Sequence, residues 1–186
     1  MKFTAIALAI FLVFGFSASS KAEDERELIN LTPELQGKLL AEMRQLTYDL
    51  DELVSALAEG DFQEVRKIAI IKLGFGHNRS KMMLENGKSE EEVVATMEPF
   101  LIKRLKMYEA GNMGHGGGGG FAGLGQQLPE KVRSMGQAMH ASAVMLALSA
   151  KKAGKNPTAD DYKAVLSNLQ GMTSMCAGCH QAFKIR

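Results

Sequence analysis

The 186-residue chain contains only two cysteines, Cys176 and Cys179, and almost no net charge. No second cysteine pair exists to complete a zinc site, which needs about four ligands. A disulfide across so short a loop is possible, as in redox C-x-x-C sites. Those sites open a helix in a strand–helix fold, and no β-α-β pattern is present. The 22 basic and 21 acidic residues nearly cancel, so the chain reads neither as a nucleic-acid binder nor as an anionic-membrane binder. The carboxylates form no paired catalytic arrangement and no nucleophile motif appears, so the chain does not read as an enzyme. Residues 111–127 include nine glycines. With neither a preceding strand nor a following Gly-Lys-Ser/Thr, they read as a flexible loop and not as a phosphate loop.

The N-terminus has the layout of an export signal. Met1 and Lys2 form a short positive region, Phe3 to Phe16 an apolar run, and Ser20 and Ala22 place small residues at −3 and −1 before Glu23. The run is short for a spanning helix, which needs roughly 20 apolar residues. The expectation is a signal peptide over 1–22, cleaved after Ala22, and a periplasmic domain over 23–186. No later stretch could span a membrane. Loss of Lys2 and Lys21 leaves 20 basic against 21 acidic residues.

At the other end stands Cys176-Ala177-Gly178-Cys179-His180. This C-x-x-C-H is the attachment signal for a c-type haem. Each cysteine adds its sulfur across one vinyl group of the haem. The two vinyls lie on neighbouring pyrroles, so the thiols must project together, as residues i and i+3 of a helical turn do. His180 then offers its imidazole to the iron as the proximal ligand. Small Ala177 and Gly178 would let the backbone approach the macrocycle.

The rest of the chain is patterned for helices. Thr32-Pro33 opens the first, with an apolar stripe of Leu35, Leu39, Met43, Leu46, Leu50, Leu53 and Leu57, closed by Gly60-Asp61. A second runs over 62–73 with a less clean period, interrupted by Gly74 and Gly76, and a short piece resumes over 78–84. Ser89 to Glu92 reads as a capping box. The helix it starts contains Pro99 and so must bend or begin there. Pro129 opens the next, with Val132, Met135, Met139, Ala143, Leu146 and Ala150 on one face and Gly154 at its end. Thr158 caps the last, whose apolar stripe runs Tyr162, Val165, Leu169, Met172, Cys176, Cys179, Phe183. That stripe predicts both cysteines on the buried face of a helical bundle.

Most c-type cytochromes carry the motif near the N-terminus. A C-terminal C-x-x-C-H after amphipathic helices resembles the cytochrome c-prime family, including its low-spin cytochrome c-556 type. The residues that carry the likeness are Met139-His140 with Ala143 and Leu146, Tyr162 with Val165-Leu166, and Cys176 to Lys184, together with the turn Leu57-Ala-Glu-Gly60-Asp61. The likeness covers 31–73 and 129–186; residues 74–128 are longer and richer in glycine than the family needs. It implies an all-α, antiparallel four-helix bundle with a long Gly-rich insertion, one covalent haem c with its iron, periplasmic redox partner proteins, and often a homodimer.

The resemblance also implies the position opposite His180. The family's distal residue lies on the first helix, where this chain has Met43. A methionine sulfur there gives a six-coordinate, low-spin haem suited to electron transfer. A non-ligating residue leaves one face open to small gases such as NO or CO, the alternative function. A basic residue one turn earlier would meet a haem propionate, and Lys38 and Arg44 are its candidates. Of the other histidines, His77 is expected to be exposed, His140 packed or hydrogen-bonded, and His115 at most a weak metal ligand. Lys184 and Arg186 flank the motif, either near the haem or as a solvated tail.

Overall fold

Local chemistry at the helix ends sets most of the architecture. The structure is a computed structural model that describes residues 24–113 and 124–185. The expected signal peptide, His115, the run Gly116–Gly120 and Arg186 lie outside the described residues. Helix α1 spans Pro33–Ala58, with Pro33 in its first turn and the Thr32 hydroxyl accepting from the Leu35 amide. Both features satisfy or remove amides that a helix start leaves unpaired. After it, Gly60 takes φ +75°, and the Tyr162 hydroxyl lies 2.9 Å from where a Cβ would stand. Asp61 then caps α2, Phe62–Ile68, by accepting from the amides of Gln63 and Glu64.

The expected single helix over 62–73 is instead two pieces. At Ala69 the α-helix gives way to a π-helical turn, Ala69–Leu73, in which Ala69, Ile70, Ile71 and Leu73 are all buried. The wider turn shifts the register of the side chains, which is why the apolar period was unclean there. Helix α3 follows, His77–Glu85, and then α4, Glu90–Glu109, behind the expected Ser89–Glu92 capping box. Pro99 lies inside α4, which runs through it as one element. The short α5 covers Leu124–Gln127, α6 covers Glu130–Ala153 and ends at Gly154, and α7 covers Ala159–Ala182 behind a Thr158–Asp161 capping box. Two-residue strands β1, Glu27–Leu28, and β2, Phe183–Lys184, pair in parallel. The described residues are therefore all-α apart from this strap. None of their helices is long and apolar enough to cross a membrane.

Helix α6 is the central element, packed against α7, α2, α4 and the π-turn. Its buried face is rich in small residues, Ala141, Ala143, Ala147 and Ala150, which let those neighbours come close. Leu53, Phe62, Val65, Ile70, Leu73, Met97, Leu101, Leu146 and Val165 fill the main core. A second, smaller cluster holds the N-terminal end of α1 to the strap: Ile29, Leu39, Leu128, Val132 and Phe183, with Met43, Met135 and Cys179 packed against it.

Gly76 tests the elbow between the π-turn and α3. Its φ is +80°, and a Cβ there would stand 3.0 Å from Phe100 Cε1. Gly76→Ala is expected to cost about 1–3 kcal/mol, from left-handed backbone and the aromatic contact together. A urea unfolding curve with unchanged midpoint would contradict this.

Candidate functional site

The C-x-x-C-H motif forms the last turns of α7. Cys176 and His180 line a cleft, whereas Cys179, one helical turn on from Cys176, packs on the second cluster and is not among the residues lining that cleft. The motif is less enclosed than the apolar stripe predicted. Cys176 and His180 are exposed, and Cys179 is half-buried against the second cluster. The stripe is buried at Val165 and Met172, and its last turns open onto a cleft. Both thiols are free. Partial burial raises the Cys176 thiol, and burial with the neighbouring Cys176 sulfur raises that of Cys179. Neither is an activated thiolate of the kind that redox C-x-x-C sites use.

The cleft exists because α7 packs along α6, whereas α1 is not packed along α7. It measures about 490 Å³ and is lined by Leu40, Met43, Arg44, Leu46, Thr47 and Leu50 of α1 and by Cys176, Ala177 and His180 of α7. That volume lies within the range of cofactor sites, and its wall is mainly apolar with few polar groups. The cleft thus brings Met43 and His180, 137 positions apart by their numbers, to one space. Of the two cations expected near a propionate, Arg44 lines the cleft, while Lys38 is paired with Glu34 at 2.6 Å.

The residues fit a covalent c-type haem on their chemistry. Two protonated thiols sit one helical turn apart. The His180 imidazole makes no hydrogen bond with any other described residue, and Met43, which carries a thioether, is on the facing wall. Imidazole and thioether are the axial donors of cytochromes c. Among the described residues, no three His, Cys, Asp or Glu side chains group into a site for a bare metal ion.

Two expectations at the motif change. Gly178 does not face the cleft: a Cβ on it would stand 3.1 Å from Met135 Cε, so its smallness admits α6. Ala177 is the small residue on the cleft wall. Lys184 is neither on the cleft nor a free tail. It pairs with Asp24, both through the Asp24 carboxylate and by donating to its backbone carbonyl. Arg26 adds a hydrogen bond from Nη1 to the His180 carbonyl at 3.2 Å.

Behind the cleft lies a group that the sequence did not reveal. His77, expected to be exposed, has a side chain only 11% exposed, and its Nε2 donates to Glu42 Oε1 at 2.6 Å. Its ring stacks on His140, centroids 5.3 Å apart. His140 is packed and hydrogen-bonded as expected, with Nδ1 2.7 Å from the carbonyl oxygen of Leu73, the last residue of the π-turn. A carbonyl only accepts, so Nδ1 carries the proton. Burial, and next the charge of His77, push His140 down to about 4. No sequence signal marks this group beyond the histidines themselves and the broken period at 69–73.

No protein-family model, curated protein or solved structure matches the chain.

Proposed function

We propose that this chain is a periplasmic monohaem c-type cytochrome that carries electrons between partner proteins. Its haem c is attached through Cys176 and Cys179, and its iron is held by His180 and Met43, in a four-helix arrangement of α1, α4, α6 and α7. The observation that carries the reading is the shared cleft: Cys176, Ala177 and His180 on one wall, Met43 on the other. When bound, the haem supplies a one-electron ferric–ferrous couple. The chain's own residues set its conditions. Cys176, Cys179, His180 and Met43 would hold the group at four points and leave it little room to rearrange between oxidation states. Leu40, Leu46 and Leu50 line the cleft and would exclude water from a bound haem, and the Met43 thioether as a ligand would favour its reduced form. Arg44, at the cleft, is the cation for a propionate.

The test is expression of the full chain in a host that exports it and attaches c-type haem. The expected results are a haem-stained band on a denaturing gel and a reduced spectrum with a sharp low-spin α-band that CO leaves unchanged. A chain that never stains overturns the reading. A high-spin spectrum that shifts with CO or NO replaces the carrier by a gas-binding protein. Met43→Ala is expected to convert low spin to high spin, to admit CO and to lower the potential, with the covalent haem retained. A low-spin, CO-inert Met43→Ala protein would remove Met43 as ligand.

A further inference from the structure

The wall that bears Met43 is backed in the middle of α1 by the π-turn, with Leu46 and Leu50 packed on the main core, and by α3 across a second space. The C-terminal part of α1 packs on α2, its N-terminal part belongs to the second cluster, and α7 stands across the cleft. Residues 42–50 separate two cavities. On one side is the cleft; on the other is a space of about 270 Å³ lined by Glu42, Asp49 and His77 among others, and Leu46 lines both. Successive residues of a helix point about 100° apart. Glu42 can therefore be gripped from behind while its neighbour Met43 lines the cleft.

We propose that His77 is the positioning residue for Met43: its hydrogen bond to Glu42, backed by the ring stack on His140, fixes how far α1 stands from α7. The inference rests on the haem reading above. The chain of contacts runs from frame to wall. His140 belongs to α6, which holds α7, and is locked by its bond to the Leu73 carbonyl. His77 lies flat against it, with 29° between the ring planes. Its Nε2–H reaches the Glu42 carboxylate at 2.6 Å, a short bond between mostly enclosed partners. A second polar link from α1 to this region, Lys72 to Glu52, is more solvated and holds less firmly. Across a cleft of this size a thioether reaches iron only if the helix that carries it is held at one distance. A coordinate bond does not tolerate a 1 Å displacement.

The experiment uses the haem-loaded full chain and reads the near-infrared sulfur-to-iron band of the ferric protein, with CO binding to the ferrous form. The variants are His77→Leu, His77→Gln, which keeps an N–H donor, and Glu42→Leu, which removes the acceptor. The expected result is loss of most of the sulfur band and at least a tenfold gain in CO-binding fraction for His77→Leu and Glu42→Leu. His77→Gln is expected to keep the band. Glu42→Leu stands in for His77→Leu if the latter does not fold. Retention of the full band in the leucine variants overturns the inference alone, as does loss of the band in His77→Gln equal to that in His77→Leu. A wild-type protein without covalent haem, or without the sulfur band, overturns the reading it rests on before any variant is compared.

Discussion

Replacing Cys176 and Cys179 together by serine is expected to abolish every trace of haem that survives a denaturing gel. Addition of a thiol across a vinyl group forms one C–S bond and moves the thiol hydrogen to the neighbouring carbon. It needs no oxidant, but it needs sulfur, and a serine hydroxyl does not take that role. These are the only two cysteines in the chain, so no other site can supply a thioether. Each single variant is expected to keep one link and a weaker stained band. The helical frame should persist, because one thiol is exposed and the other half-buried, and serine nearly matches cysteine in volume. The measurement is haem staining beside a far-ultraviolet dichroism spectrum. A stained band from the double variant would place the attachment elsewhere and remove the basis of the proposed function.

A second large effect is expected from acid. His140 is held at about 4 in the fold against an ordinary 6.5, by burial first and His77 second. Between those values the unfolded chain binds a proton that the folded chain refuses, so stability rises with pH across that window. The contribution is complete above about pH 6.5 and is lost as pH falls toward 4, by an amount on the order of 3 kcal/mol. The carboxylates that are held low act elsewhere. Glu34, Glu92, Glu98 and Asp161 are held below their ordinary values by hydrogen bonds and cations, so their contributions are lost only under more acid conditions. Burial raises Asp49, which acts with the opposite sign, so the His140 part is the difference between the wild type and a His140 variant. Urea unfolding at a series of pH values from 7 to 4.5 reads the His140 part directly, and His140→Gln should flatten it. Equal slopes in the wild type and the variant would show that His140 is not the group responsible.

The parts of the fold that were legible in the sequence are those settled within a few residues. Thr32, Ser89 and Thr158 cap helices because their hydroxyls reach amides three positions on, a matter of local geometry alone. Met43 could be assigned to an apolar face because its stripe is regular, and that face lines the cleft with His180. What could not be read depends on residues far apart. The π-turn appears in sequence only as a blurred period. The His77–His140 stack joins positions from two helices with no spacing rule between them, and Lys184 finds Asp24 through the strand pair. The cysteines were assigned to the buried face because periodicity tells which way a side chain points. It does not tell whether a neighbouring helix is there to cover it.

The strap at the motif has a consequence for the order in which this molecule takes shape. Arg26 and the His180 carbonyl are 154 residues apart in sequence, and Ile29 bonds to the Lys184 carbonyl at 2.8 Å over a similar span. Closing so long a chain segment is entropically little worse than closing one half its length, but it is slow. The first described residues must therefore wait, unpaired, until nearly all the helices between them and their partners have assembled. Two strand residues, a few polar contacts and the side chains of Ile29 and Phe183 in the smaller cluster then hold them, a modest set of contacts for closing so long a segment. The strap, not the motif turn that α6 already holds, is consequently the last part of the described chain to be fastened.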